Sequence, residues 1–151
     1  MKSYALYAGS FNPWHEGHTD ILEKSLKVFG RVMVSAAVNP EKSESLSYDF
    51  DLLAKQMYQE GRIDKERVRL QHFNGLLVDF ITRLRTEFDV EICALVRGLR
   101  NGHDLNYEMN WQYWNEDLGI KIPIVYFICD RNKSHISSSM IRMIEQVRKT
   151  K

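Results

Sequence analysis

The chain has 151 residues, a length suited to one domain over 1–151, which would hide roughly 70% of the surface that the extended chain exposes. Lys and Arg total 21 against 20 Asp and Glu, so the overall charge gives no pull toward nucleic acid or an anionic membrane, and an anionic ligand needs a local cluster of cations. The two cysteines, Cys93 and Cys129, make neither a disulfide framework nor a metal-ligand spacing, and no run reaches the ~18 apolar residues of a membrane span. A soluble protein of the reducing cytoplasm, without a leader segment, is expected.

In chain order, a branched and aromatic run at 4–8 predicts a strand. A helix follows the Gly-rich turn, with Ile21, Leu22, Ser25, Leu26 and Phe29 on one face and Gly30 placed to end it in a left-handed cap. A strand at 32–38 leads into a polar loop at 39–46 and a helix from an N-cap at Ser47, with Phe50, Leu53, Ala54 and Met57 inward and Gly61 at its end. A strand at 68–72 precedes a helix with Leu77, Phe80, Ile81 and Leu84. A strand at 92–96 precedes a helix from about His103 to Leu118, where Tyr107, Trp111, Trp114 and Leu118 share helical spacing. The last strand, 124–128, is followed by a helix from the Ser137-Ser138-Ser139 run with Met140, Ile141, Ile144 and Val147 beneath.

This alternation predicts an α/β fold with a doubly wound, five-stranded parallel sheet. The unusual segments 9–18, 39–46, 97–104 and 129–139 all follow strands, so they should share the sheet's carboxyl edge, where ligands bind in such folds. Gly9-Ser10-Phe11-Asn12-Pro13-Trp14-His15-Glu16-Gly17-His18 joins a strand end to a helix N-terminus, a natural phosphate site. His15 and His18 alone could be capping residues, and no third ligand with sensible spacing makes them a metal site. In Arg97-Gly98-Leu99-Arg100, two guanidiniums around a glycine suit bidentate phosphate recognition. Lys133 to Ser139 offers hydroxyls and the first N–H groups of a helix, although a plain serine N-cap would look the same in isolation.

Taken together these segments resemble the nucleotidylyltransferase superfamily, through His15-Glu16-Gly17-His18 and the Ile136-Ser137-Ser138-Ser139-Met140-Ile141-Arg142 run. The stretch from Arg97 to Glu108 further resembles the R-G-L-R-x-x-x-D-x-x-Y-E pattern of the bacterial phosphopantetheine adenylyltransferase family. The resemblance implies a Rossmann-like nucleotidylyltransferase fold and adenylyl transfer from ATP to 4′-phosphopantetheine, with Mg²⁺ accompanying ATP and no protein ligands assigned to it. It implies catalytic roles for His18, Lys42 and Arg100, and acceptor contacts from Ser10, Lys42, Leu77, Arg97 and Asn115. ATP contacts are implied for Ser10, Phe11, His15, His18, Gly98, Leu99, Arg100, Glu108, Lys133, Ser134, His135, Ile136, Ser137, Ser138 and Ser139. Trp111 and Trp114 map near the acceptor arm but fit equally well as core.

The resemblance also implies a homo-oligomer, typically a hexamer. Two alternatives stay open: transfer to nicotinamide mononucleotide, which the arginine-rich run disfavours, and a non-catalytic adenine-nucleotide-binding protein on the same fold.

Overall fold

Strand-forming runs separated by amphipathic segments give, in the computed structural model, β1 (Lys2–Gly9), α1 (Glu16–Val28), β2 (Val32–Ala37), α2 (Phe50–Tyr58), β3 (Val68–Phe73) and α3 (Leu77–Phe88). They are followed by β4 (Val90–Leu99), α4 (Gly102–Asp117), β5 (Ile124–Ile128), a short 3₁₀ turn (Arg131–Lys133) and α5 (Ser138–Lys149). The structure describes residues 1–38 and 49–150. Lys42 and Ser47 therefore lie outside the described residues, and Asp49 caps α2, its side chain accepting from the Leu52 amide at 2.9 Å.

The five strands form one parallel sheet in the order β3-β2-β1-β4-β5, as the alternation predicted. Side chains alternate across β1 and feed two cores. Ala5 and Tyr7 join Leu22, Leu53 and Met57 on one face. Leu6 and Ala8 join Leu77, Phe80 and Leu84 on the other. The chain leaves β1 toward β2 on one side, and β4 returns on the other, so the crevice for a ligand opens at the carboxyl ends of β1 and β4. Among the described residues no helix is long and apolar enough to cross a membrane.

Three expectations need correction. Gly30 does not close α1 in a left-handed cap: Phe29 ends it in extended backbone, its amide donating to Ser25 O, and Arg67 satisfies the last carbonyls. The guanidinium donates to Leu26 O, Phe29 O and Gly30 O, so a cation from the β3 side does what a glycine was expected to do. In α4, Tyr107 and Trp114 are 65% and 55% exposed, whereas Glu108 and Asn115 are buried. The helix turns Asp104, Glu108, Trp111 and Asn115 toward the sheet because Arg97 waits there. In α5 no residue is buried, and Ile144 and Val147 lie open rather than beneath the helix.

Candidate active site

The β1–α1 turn is built around Phe11, whose φ of 48° is rare for a side chain of its size and whose ring is buried against Tyr7, Trp14 and His18. A cis peptide precedes Pro13. His15 then caps α1, its Nδ1 accepting from the Gly17 amide at 3.0 Å, while His18 Nδ1 accepts from the His15 amide at 3.2 Å. This is a capping box made by two stacked imidazoles, their centroids 3.8 Å apart. Both Nδ1 lone pairs are taken by amides, so in the neutral rings each proton sits on Nε2 and that N–H is the edge left for a ligand.

Burial lowers the His18 imidazole well below its ordinary range, with the charges of His15 and Arg100 adding to it. Burial, then Arg100, lowers His15 to about 4. Both therefore act as neutral donors at physiological pH. Gly17 is required here: a Cβ would stand 2.8 Å from His15 Cε1 and push the cap apart.

At the end of β4, Arg97 is held on three sides. Its Nε and Nη2 donate to Glu108 at 2.7 and 2.8 Å, Nη1 donates to Ala8 O at 2.8 Å, and Trp111 stacks over the guanidinium at 4.3 Å. Three of its five N–H groups are thus engaged, which fixes its plane and leaves two for a ligand. Arg100 lies further out and pairs with Asp104 through its backbone N, Nε and Nη2. Burial pushes the Asp104 carboxyl up, but the Arg100 hydrogen bonds and charge outweigh it and hold the group below its usual range. Between the two arginines, Gly98 lets α1 approach: an added Cβ would meet Ile21 Cγ1 at 2.8 Å.

The serine run closes the other side. Ser137 caps α5 by accepting from the Met140 amide, Ser138 Oγ donates to Pro13 O at 2.9 Å, and Ser139 Oγ accepts from Arg142 Nη2. All three hydroxyls have partners within the protein. What the segment leaves for an anion is the positive end of α5 and its first amides.

These pieces line one cavity of about 420 Å³. Of the sequence-predicted residues it brings together Ser10, Phe11, His15, His18, Arg97, Gly98, Leu99, Arg100, Glu108, Lys133, Ile136, Ser137, Ser138 and Ser139. Ser134 and His135 belong to the same wall without lining the cavity, and Ser134 Oγ turns back to Arg131 O. Leu77 lies in the second core, and Asn115 is buried with its Nδ2 donating to Trp111 O. Sequence reasoning missed Tyr7, Ile21 and Cys129, which also line the cavity. The position of Ile21, three residues after His18 on the same helix, was the available signal for one of them. Tyr7 is buried at the floor, and that burial raises its hydroxyl far above the usual phenol range.

Among the described residues no group of three or more His, Cys, Asp or Glu is arranged to hold a metal ion. The cavity carboxylates Asp104 and Glu108 are each taken by an arginine. Among the described residues the cavity thus presents no assembled carboxylate set for a protein-held Mg²⁺.

Residues 6–144 match the cytidylyltransferase-like family model. Phosphopantetheine adenylyltransferase of Syntrophomonas wolfei subsp. wolfei (strain DSM 2245B / Goettingen) is 35% identical over 138 residues, 91% of this chain and 80% of that one. The protein of the same description from Clostridium novyi (strain NT) is 34% identical over 140 residues, 93% of this chain and 81% of that one. That from Nautilia profundicola (strain ATCC BAA-1463 / DSM 18972 / AmH) is 30% identical over 144 residues, 95% of this chain and 88% of that one. With the parallel sheet, the two-histidine cap and the arginine-rich run in place, the chain belongs to the cytidylyltransferase-like family and, within it, to the phosphopantetheine adenylyltransferases.

Proposed function

We propose that the chain transfers the adenylyl group of ATP to 4′-phosphopantetheine, giving dephospho-coenzyme A and pyrophosphate in the cytoplasm. The observation that carries this reading is the convergence on one cavity of two helix N-termini, α1 and α5, with His18, Arg97 and Arg100. Such a cavity suits a ligand carrying several phosphates. A phosphate oxygen of the acceptor attacks the α-phosphorus of ATP, the bond from that phosphorus to the bridging oxygen of the β-phosphate breaks, and pyrophosphate leaves with the electron pair. Negative charge grows on the equatorial oxygens, where a preorganised neutral donor, the His18 Nε2–H, stabilises the transition state more than the ground state. Arg100 and the first amides of α5 would hold the triphosphate, and the two remaining N–H groups of Arg97 the acceptor phosphate.

The resemblance assigns Lys42 to the acceptor phosphate as well, and Mg²⁺ as the counterion of the ATP phosphates. Free thiols at Cys93 and Cys129 support a reducing compartment. The open apolar residues of α4 and α5 support a homo-oligomer, hexameric by the resemblance. Pyrophosphate release measured with each acceptor tests the function: release with 4′-phosphopantetheine is expected. Release only with nicotinamide mononucleotide, or with neither, would overturn it.

A further inference from the structure

Helix α5 closes one side of the cavity, yet none of its residues is buried, and Met143, Ile144 and Val147 are exposed. None of its side chains joins either apolar core, and only Met140 and Ile141 among its apolar residues are half-buried. Polar ties act at the two ends of the wall formed by residues 129–142. At the far end Ser138 Oγ donates to Pro13 O and Arg142 donates to Asn12 O. At the near end the tie is made by α1: Asp20, only 5% exposed, accepts from the backbone amide of Asp130 and from Lys24 Nζ, each at 2.9 Å.

Lys24 Nζ also donates to Asp130 Oδ1 at 2.9 Å and to Ile128 O at 2.7 Å, so its three N–H bonds all go to defined partners. Lys133 Nζ stands 3.9 Å from Asp20 and 4.0 Å from Asp130. A buried carboxylate near a site for a polyphosphate carries two costs, its own desolvation and its repulsion of the incoming anion. The geometry accounts for its presence as an anchor: Lys24, Lys133 and a backbone N–H offset its charge while it fixes the turn that follows β5.

We propose that Asp20 and Lys24 are positioning residues that clamp this turn to α1 and so hold Lys133 and the first turn of α5 against the nucleotide. The proposal rests on the adenylyl-transfer reading and names residues that set nucleotide affinity without touching it. Lys24 stands partly in solvent and the two apolar cores do not include it, so its loss should loosen the wall and leave the fold intact.

The test compares Lys24→Met, Lys24→Arg and Asp20→Asn in the full chain by calorimetric ATP binding, acceptor KM, thermal unfolding and amide exchange. For Lys24→Met, ATP affinity should fall about tenfold and amide exchange within residues 130–139 should quicken, while acceptor KM stays within about twofold; the melting temperature should fall with the chain still folded, since Asp20 is left buried without its lysine. Lys24→Arg, which keeps the charge and the donors, should restore ATP affinity to within about threefold. Asp20→Asn should follow Lys24→Met if it folds. ATP affinity within about twofold of the unsubstituted chain, or equal weakening of both substrates, would overturn the proposal. Should the unsubstituted chain release pyrophosphate with neither acceptor, the functional reading fails, and the exchange comparison still decides the clamp: unchanged exchange at 130–139 refutes it.

Discussion

Protonating His18 on Nδ1 would cost it the hydrogen bond from the His15 amide and set a second cation near Arg100 in a buried place. The ring is therefore held neutral, with its N–H on Nε2, and a ¹⁵N–¹H correlation spectrum should show that tautomer for both His15 and His18 at pH 7. His15 should titrate near 4 and neither ring near ~6.5; an ordinary midpoint for either would contradict the capping geometry. Because the folded value of His15 lies below the unfolded one, the unfolded chain binds more protons in between. The stabilising contribution is complete above about pH 6.5 and is lost as pH falls from there toward 4. His15→Asn, which keeps a capping oxygen, should flatten this part of the dependence of melting temperature on pH. His18→Ala should lower kcat by roughly 10²–10³ and leave ATP affinity within about threefold, because the donor acts mainly in the transition state. Unchanged turnover in steady-state assays would remove His18 from the chemistry.

Helix α1 has side-chain contacts at both ends, the histidine cap at its start and the Arg67 guanidinium on its last carbonyls. Arg67→Met should lower the unfolding free energy by about 1–2 kcal/mol in urea titrations, since a charged donor to several carbonyls is lost. Gly98→Ala should cost about 1–3 kcal/mol in the same measurement and shift α1, because Ile21 stands where the new methyl would go. At this scale the sequence told where helices lie better than which way they face. The spacing of Tyr107, Trp111, Trp114 and Leu118 is helical, but Glu108 is drawn inward by Arg97, eleven residues earlier on another element, and periodicity carries no trace of that pairing. Likewise the apolar stripe of α5 announces an amphipathic helix without saying what covers it. Gly30 looked like a helix stop, and the actual stop is a cation that sits far along the chain.

Across the whole molecule, the sheet order converts a one-dimensional pattern into a site. All strands run parallel, so every segment that follows a strand emerges at one edge, and that rule alone brought the histidine, arginine and serine segments together before any contact was known. What the rule cannot supply is the partner of each polar group. The serine hydroxyls proved to be engaged within the protein, and the ties of Lys24 to Ile128 and Asp130 span more than 100 residues. ATP affinity should depend on salt, since the cavity attracts phosphates through Arg97, Arg100 and two helix termini near the surface; binding isotherms at rising ionic strength should show steady weakening. The most direct measurement is a crystal structure of the chain with a non-hydrolysable ATP analogue. It should place an α-phosphate oxygen about 3 Å from His18 Nε2, with the other phosphates between Arg100 and the first turn of α5. A nucleotide bound elsewhere, or bound here with its phosphates turned away from His18, would contradict the account.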